Sequence, residues 1–377
     1  MKKTYINLTF RKGRVLDYFF IVWAILFSIV AISDTSTLAR SSSFSDVIYL
    51  VKHLIFAPFI LFIFLHRVSS KIVGYVFIFS LYFLFSLYFG EFNVENIFSR
   101  LTYPFFLIFG FLYLKTENKQ VILKVIFITS IVTIFVLTLL HIINDVPMER
   151  FTNRHRASLG FKLAHFPVIV ATLVIMLDYI KISKKIKVVF GVMAIVFIIF
   201  SYTRSALVVL IIFYLHRISK DNGLLKVGLI LLMCLFSLLI GLLSFEFYDE
   251  LNEISSGRIY LWKEALISNF KIESLLIGSG NEVSHIWEHK NRVDVNVVHF
   301  DNSFIDIVIK MGVVGLALSF YIFYIFSQYK KMNFILLILL ILGALGSVLF
   351  STGNFIFPVL MLLLLSSKYK SIKRSAE

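Results

Sequence analysis

Charged residues are scarce in this chain of 377 residues, where they make up 16% of the sequence. Soluble globular domains carry about 25% charged residues, so the composition argues against an ordinary water-soluble fold. Cysteine occurs once, at Cys234, and a lone cysteine closes no intramolecular disulfide and indicates no redox compartment. Internal repeats and low-complexity segments are also absent, which excludes repeat architectures and linker-like regions.

Apolar segments of about twenty residues recur from one end of the chain to the other. A helix of that length crosses the hydrocarbon of a bilayer, about 30 Å thick, and satisfies its own backbone hydrogen bonds, which lipid cannot do. The alternation typical of an outer-membrane barrel is missing. The sequence therefore predicts an all-α, polytopic transmembrane protein of about twelve spans, forming a single integral membrane domain over residues 1–377. The predicted spans are 16–33, 47–65, 72–89, 100–114, 121–143, 161–180, 187–202, 205–216, 224–247, 304–327, 334–350 and 353–367.

Lysine and arginine residues set the predicted orientation, because they concentrate in cytoplasmic loops. Every alternate loop is basic, as is the N-terminus, which lacks a signal-peptide cleavage site and is predicted to be retained. Both termini are therefore placed on the cytoplasmic side of the membrane. These flanking residues also account for most of the net charge of +15, so a nucleic-acid partner is not expected. The basic loop residues are Arg67, Lys71, Lys115, Lys119, Lys181, Lys184, Lys185, Lys187, Arg217, Lys220, Lys330 and Lys331.

One long loop, residues 249–303, is predicted on the periplasmic side between the ninth and tenth spans. Its residues Ile259, Trp262 and Leu266 recur every three to four positions, which predicts an amphipathic helix along the membrane surface. His285 and His289, four residues apart, suit one face of a helix, but a third ligand of clear spacing is missing. The sequence therefore predicts no metal site.

Arginines on the periplasmic side depart from the rule that basic residues lie inside. Arg150, Arg154 and Arg156 crowd one outer loop, Arg204 lies in a tight outer turn, and Arg258 opens the predicted loop helix. The planar guanidinium group suits phosphate, and charge at the end of a span is costly unless it is paired or functional. Snorkelling to headgroups and structural ion pairing are the alternatives. Arg204 and Arg258 are the stronger candidates for anion binding.

A second candidate cluster ends the large loop, where His299, Asp301 and Asn302 precede the tenth span. A histidine, a carboxylate and an amide at a water–membrane boundary suit general-base chemistry on a sugar hydroxyl. The alternative is that Asp301 only caps the helix that follows.

Four short motifs occur in the middle and last thirds of the chain. They are Thr203-Arg204-Ser205, the segment Ser256-Gly257-Arg258-Ile259-Tyr260-Leu261-Trp262, Leu276-Ile277-Gly278-Ser279-Gly280, and Asp301-Asn302-Ser303-Phe304 followed by Gly312 and Gly315. In their order and placement these motifs resemble those of the bacterial O-antigen polymerase and O-antigen ligase superfamily, and the topology is similar over the whole chain.

The resemblance implies metal-independent, cofactor-free glycosyl transfer at the periplasmic face, from a glycan on undecaprenyl pyrophosphate. It assigns Arg204 and Arg258 to the pyrophosphate and Asp301 or His299 to the acceptor proton. Arg150, Arg154, Arg156 and Asn302 are candidates for further substrate contacts. The bilayer, a flippase and a chain-length regulator are the expected partners.

The acceptor separates the two branches of the superfamily. Ligases place histidine directly before the asparagine, nine residues ahead of a Gly-x-x-Gly, and here Asp301 takes that position ahead of Gly312-Val313-Val314-Gly315. The resemblance therefore favours a polymerase in lipopolysaccharide or other surface-polysaccharide biosynthesis. An O-antigen ligase, acting on lipid A–core, and a flippase or transporter without chemistry remain the alternatives.

Overall fold

The computed structural model describes residues 12–36, 38, 45–63, 70–89, 94–144, 161, 165–201, 203–218, 260, 262, 263, 267, 272–278, 285–289, 292–297, 302–329, 334–345 and 354–366. Helices dominate this part of the chain. They are α1 (Lys12–Ser33), α2 (Ser45–Leu54), α3 (Phe59–Ile63), α4 (Ser70–Phe89), α5 (Val94–Lys115), α6 (Lys119–Ile143), α7 (Phe166–Met176), α8 (Lys184–Phe200), α9 (Arg204–Ile218), α10 (Ile272–Ile277), α11 (Ser303–Tyr329), α12 (Phe334–Leu345) and α13 (Ile356–Ser366). Strands β1 (His285–His289) and β2 (Arg292–Val297) form an antiparallel hairpin.

The helical architecture of the prediction is confirmed. Every predicted span except the ninth contains at least part of one of these helices, and the ninth, 224–247, lies outside the described residues. Among the described helices, three are long and apolar enough to cross a membrane, namely Val15–Ser33, Lys119–Ile143 and Ser303–Phe326, and several shorter ones are apolar. The figure of about twelve crossings stays a prediction, as do the orientation and the placement of the termini.

Two predicted spans are less regular than expected. The span 47–65 is divided into α2 and α3 by turns over residues 55–58, because Pro58 has no backbone N–H and its ring clashes with a helical carbonyl one turn earlier. The span 161–180 contains only α7, Phe166–Met176. Apolar composition identified both segments but carried no information on the length of the helix within them.

The all-α fold class holds, but the large loop contains more than the amphipathic helices that the sequence predicts. Tyr260, Trp262, Lys263 and Ile267 have helical backbone, as the predicted surface helix requires, but β1 and β2 follow further along the loop. Valine alternates with polar residues over Arg292–Val297, which is the period of a strand. The Cα atoms of His285 and His289 are therefore separated by roughly 13 Å, as four residues of strand require, and not by the roughly 6 Å of a helical pair.

The chain forms two compact units, of which the first comprises Met1–Ile72, Phe105–Thr203 and Thr352–Glu377. Aromatic side chains fill its core. The ring of Phe20 lies 4.8 Å from that of Phe59, and the ring of Trp23 lies 4.7 Å from that of Phe109. Each such pair contributes about 0.5–1.5 kcal/mol beyond the area that it buries.

Polar contacts hold both ends of α1 against α6 in this first unit. The buried carboxylate of Asp17 accepts hydrogen bonds from the backbone N–H groups of Glu117 and Asn118, at 3.0 and 3.4 Å, immediately before α6 begins. After the end of α1, the hydroxyl of Ser36 lies 2.8 Å from Nε2 of the buried His141, near the end of α6. The two helices therefore run parallel.

The second unit comprises Val73–Pro104 and Arg204–Ser351. Within it, α12 packs against α9 and α11, and the short loop helix α10 packs against α11. The ring of Tyr75 on α4 stacks on that of Tyr321 on α11, with centroids 6.1 Å apart and planes inclined by 5°. Helix α11, which follows the predicted catalytic cluster directly, thus contacts three other helices, α4, α10 and α12.

Candidate functional site

Helix α11 is broken at Gly312, about one third of the way along its length. This residue has φ 67° and ψ −175°, a conformation that essentially only glycine adopts. The break divides the helix into a first part, 303–311, which carries Asp306 and Lys310, and a second part, 313–329, without charged residues. A helix interrupted inside an apolar segment leaves carbonyl groups that need other donors.

The end of the loop helix α10 packs against α11 at this break. Gly278 follows that helix with φ 88°, and a methyl group added to it would meet the backbone of Lys310 and Met311. A methyl group added to Gly312 would in turn meet the backbone of Leu276 and Ile277. The absence of a side chain at both glycines lets the two backbones touch, and we call this contact the glycine crossing.

Two side chains supply hydrogen-bond donors at the glycine crossing. The hydroxyl of Tyr82, on α4, lies 2.9 Å from the carbonyl oxygen of Met311 and 3.1 Å from that of Ile277. A guanidinium nitrogen of Arg100, on α5, donates to the carbonyl oxygen of Lys310 at 3.2 Å. Arg100 is only 5% exposed. Both donors replace hydrogen bonds that the helix loses at its break, which is how a membrane segment tolerates irregular backbone.

A line of polar residues runs from the start of α11 toward this break. Asn302, Asp306 and Lys310 are spaced by four, so they lie on one side of the helix over about 12 Å. Asp306 is buried and lies within electrostatic range of Tyr103 on α5, whose hydroxyl bonds to Ser319. A buried carboxylate in such a segment is costly unless it is paired, and is therefore a functional candidate.

Asn302 begins α11 as its N-cap. Its side-chain oxygen accepts hydrogen bonds from the backbone N–H groups of Phe304 and Ile305, at 3.0 and 3.2 Å. Asn302 therefore occupies the cap position that the sequence analysis offered to Asp301, and Asp301 itself lies outside the described residues. The oxygen of the Asn302 amide is thus engaged by the backbone of the first turn of α11.

The structure places only part of the predicted site. Arg204 is the first residue of α9, as the motif that opens this span predicts, and it belongs to the same unit as Asn302. The remaining predicted residues lie outside the described part of the chain; they are Arg150, Arg154, Arg156, Arg258, His299 and Asp301. In the described ranges, histidine, cysteine and carboxylate side chains form no group of three that suits a metal ion.

Sequence reasoning missed Tyr82, Arg100 and Asp306. Arg100 carried a usable signal, because an arginine beside the predicted span 100–114 departs from the rule that basic residues lie inside. Asp306 carried one as well, as a carboxylate within the predicted span 304–327. Tyr82 carried none, since tyrosine is common in apolar helices of this chain.

Comparisons with known proteins bear on the same segment. Residues 162–320 match the family model described as O-antigen ligase. The match spans less than half of the chain and includes Arg204, Arg258, His299, Asp301, both crossing glycines and Gly315. It confirms the resemblance to the O-antigen polymerase and ligase superfamily over these residues. None of the curated proteins compared with the chain matches it.

The glycine crossing predicts opposite effects for two glycine-to-alanine variants. Gly312→Ala places a methyl group against the backbone of Leu276 at a positive φ, and should cost about 2 kcal/mol or more of stability. Gly74→Ala, on α4, meets nothing within 4 Å and should leave stability unchanged or raise it by about 0.5–1 kcal/mol. Thermal unfolding of both purified variants in detergent measures the difference. A Gly312→Ala protein as stable as Gly74→Ala would contradict the crossing.

Proposed function

We propose that this protein is a surface-polysaccharide polymerase of the bacterial inner membrane. It transfers a growing glycan from undecaprenyl pyrophosphate to the distal sugar of a new lipid-linked repeat unit at the periplasmic face. The match of residues 162–320 to the O-antigen ligase family carries the proposal, because that segment contains the candidate arginines, the candidate base and the glycine crossing. A flippase that delivers the repeat unit and a chain-length regulator are the partners that such a reaction needs.

The donor half of the reaction falls to Arg204 and Arg258. The bond between the anomeric carbon of the donor sugar and its phosphate oxygen breaks, and the lipid pyrophosphate leaves with the bonding electrons. Fixed guanidinium groups stabilise the charge that develops on that oxygen, which is usually the largest single contribution to catalysis. The start of α9 at Arg204 supports this role, because a cation at the end of a predicted span lies at the level of the lipid phosphates.

The acceptor half falls to Asp301, with His299 as its partner. The hydroxyl oxygen of the acceptor sugar forms the new bond to the anomeric carbon, and its proton passes to the base. Asn302 supports this assignment, since its side-chain oxygen fixes the first turn of α11, which Asp301 directly precedes in the sequence. Arg150, Arg154 and Arg156 precede the segment that matches the family and are proposed only as further substrate contacts.

Two other functions have an observation in their favour. The matching family is described as O-antigen ligase, so the same donor chemistry with lipid A–core as acceptor is the first alternative. Asp301 argues against it, because ligases in this superfamily carry histidine at that position. A flippase or transporter is the second alternative, and the broken helix α11 favours it, since discontinuous helices are typical of transporters.

Deletion of the gene separates these three functions in one experiment. For a polymerase, gel analysis of lipopolysaccharide from the deletion strain should show lipid A–core bearing a single repeat unit. A bare core with accumulated lipid-linked polymer would instead indicate a ligase. A bare core with single lipid-linked units retained on the cytoplasmic side would indicate a flippase.

The arginines are tested by charge-conserving substitution. Arg204→Lys and Arg258→Lys should each lower the rate of polymerisation on the order of 10²-fold, because lysine cannot give the planar two-donor contact. Chain-length ladders made by purified variants with lipid-linked repeat units measure the rate, and immunoblotting checks protein levels. Lys263→Arg, on the exposed part of the loop, is the control that keeps full activity. Normal ladders from both lysine variants would remove the pyrophosphate role.

The role of the base is tested at Asp301. Because Asn302 is the cap of α11, a substitution at Asp301 leaves the cap in place. Asp301→Asn should abolish polymer and leave thermal stability unchanged, because Asn302 caps the helix. Asn302→Ala, in contrast, should lower stability by about 1 kcal/mol. Polymer of normal length from Asp301→Asn, combined with its loss in His299→Gln, would transfer the base role to His299. An unperturbed histidine has a pKa of about 6.5 and suits that role near neutral pH.

A further inference from the structure

We propose that the loop segment Ile272–Gly278 is re-entrant: it dips into the outer half of the bilayer, with Ile272 and Leu276 facing acyl chains. The sequence places these residues in a periplasmic loop, whereas the structure packs the end of their helix against the interior of α11. The inference concerns the position of the loop in the membrane and does not depend on the reaction that the protein performs.

The depth of the glycine crossing follows from three helices that contact it. Each has a predicted cytoplasmic anchor: Lys71 for α4, Lys115 for α5 and Lys330 for α11. Tyr82 lies eleven residues beyond Lys71, Arg100 fifteen residues before Lys115, and Met311 nineteen residues before Lys330.

At 1.5 Å per residue the separations on α4 and α5 place the crossing about 17 and 23 Å from the cytoplasmic boundary, and the separation on α11, which includes the break at Gly312, sets an upper limit of about 29 Å. The hydrocarbon is about 30 Å thick. The upper limit lies inside it, and both estimates lie beyond its midplane, which is the outer half of the bilayer.

The exposed side of α10 agrees with this depth. Ile272 is 77% exposed and Leu276 is 48% exposed, and residues four apart lie on the same face of a helix. An apolar face of this kind is unfavourable in water and favourable in hydrocarbon. Lipid is therefore the occupant that the depth and the composition both favour.

The opposite side of the segment is held by protein. Gly278 packs on the backbone of Lys310 and Met311, and the hydroxyl of Tyr82 lies within hydrogen-bonding distance of the carbonyl oxygens of Ile277 and Met311. Backbone that is not part of a spanning helix is tolerated at membrane depth only where protein satisfies it. Tyr82 is therefore a positioning residue that keeps the re-entrant turn in place.

One consequence concerns the candidate base. The chain leaves the glycine crossing at Gly278 and returns to α11 at Asn302, about 12 Å nearer its periplasmic end. Gly278 and Asn302, the described residues on either side of the segment that contains His299 and Asp301 in the sequence, thus both lie at one helix.

Spin-label accessibility tests the depth directly. Nitroxide labels are placed at Ile272→Cys and Leu276→Cys in a Cys234→Ser full-length protein, reconstituted in vesicles of phosphatidylethanolamine and phosphatidylglycerol. Oxygen concentrates in hydrocarbon, whereas a neutral nickel chelate stays in water. Val132→Cys, 54% exposed on α6, is the hydrocarbon control, and Lys263→Cys, on the exposed part of the loop, is the aqueous control.

Both α10 labels should show greater access to oxygen than to nickel, as the label at Val132 does. Greater access to nickel, as at Lys263, would overturn the inference and place the segment in the periplasm. Poor access to both reagents would also overturn it, because a protein surface and not lipid would then cover Ile272 and Leu276.

A second variant tests the anchoring. Tyr82→Phe removes the hydroxyl without altering the ring, so the label at Leu276 should shift toward greater nickel access. Tyr18→Phe, on the exposed side of α1, should cause no shift. An unchanged label in the Tyr82→Phe protein would show that this hydroxyl does not hold the segment.

Discussion

Hydrocarbon offers the backbone no hydrogen-bond partners. In the second compact unit, this constraint is most demanding where helix α11 is broken at Gly312. Where α11 breaks, the carbonyl groups of Lys310 and Met311 take donors from Arg100 and Tyr82. Two glycines allow the loop helix α10 to approach closely enough to share the same donor. A bare break would cost several kcal/mol for each unsatisfied group, so the crossing and its donors must form together.

What the sequence could predict follows from the range of the interactions involved. Membrane helices depend on local apolar composition, and the predicted spans that the structure describes do contain helices. The glycine crossing depends on contacts between distant residues: Tyr82 and Met311 are 229 positions apart. A single sequence shows Gly278 and Gly312 as two separate turn or packing signals, with nothing to pair them.

The errors near the candidate site have local causes. The alternation of valine and polar residues in β2 has the period of a strand, whereas the sequence analysis rests on the helical period of Ile259, Trp262 and Leu266 earlier in the loop. At the start of α11, aspartate and asparagine are almost equally good caps, so residue type alone did not choose between Asp301 and Asn302. The hydrogen bonds to the backbone of Phe304 and Ile305 identify Asn302 as the cap.

The short motifs of this chain fall into two groups, those that shape the backbone and those that carry charge. The segment around Gly278 and the segment around Gly312 are in contact, and neither glycine presents a side chain that reacts, so both serve geometry. Under the proposed function, Arg204, Arg258 and Asp301 carry the charge that a glycosyl transfer needs. Substitutions at the crossing glycines and substitutions at the charged residues should therefore have different effects on the protein. A crossing variant unfolds or loosens the loop and lowers stability, whereas a conservative change at Arg204 or Asp301 leaves a stable protein that cannot extend the glycan. The two kinds of variant distinguish scaffold from chemistry within a single segment of the chain.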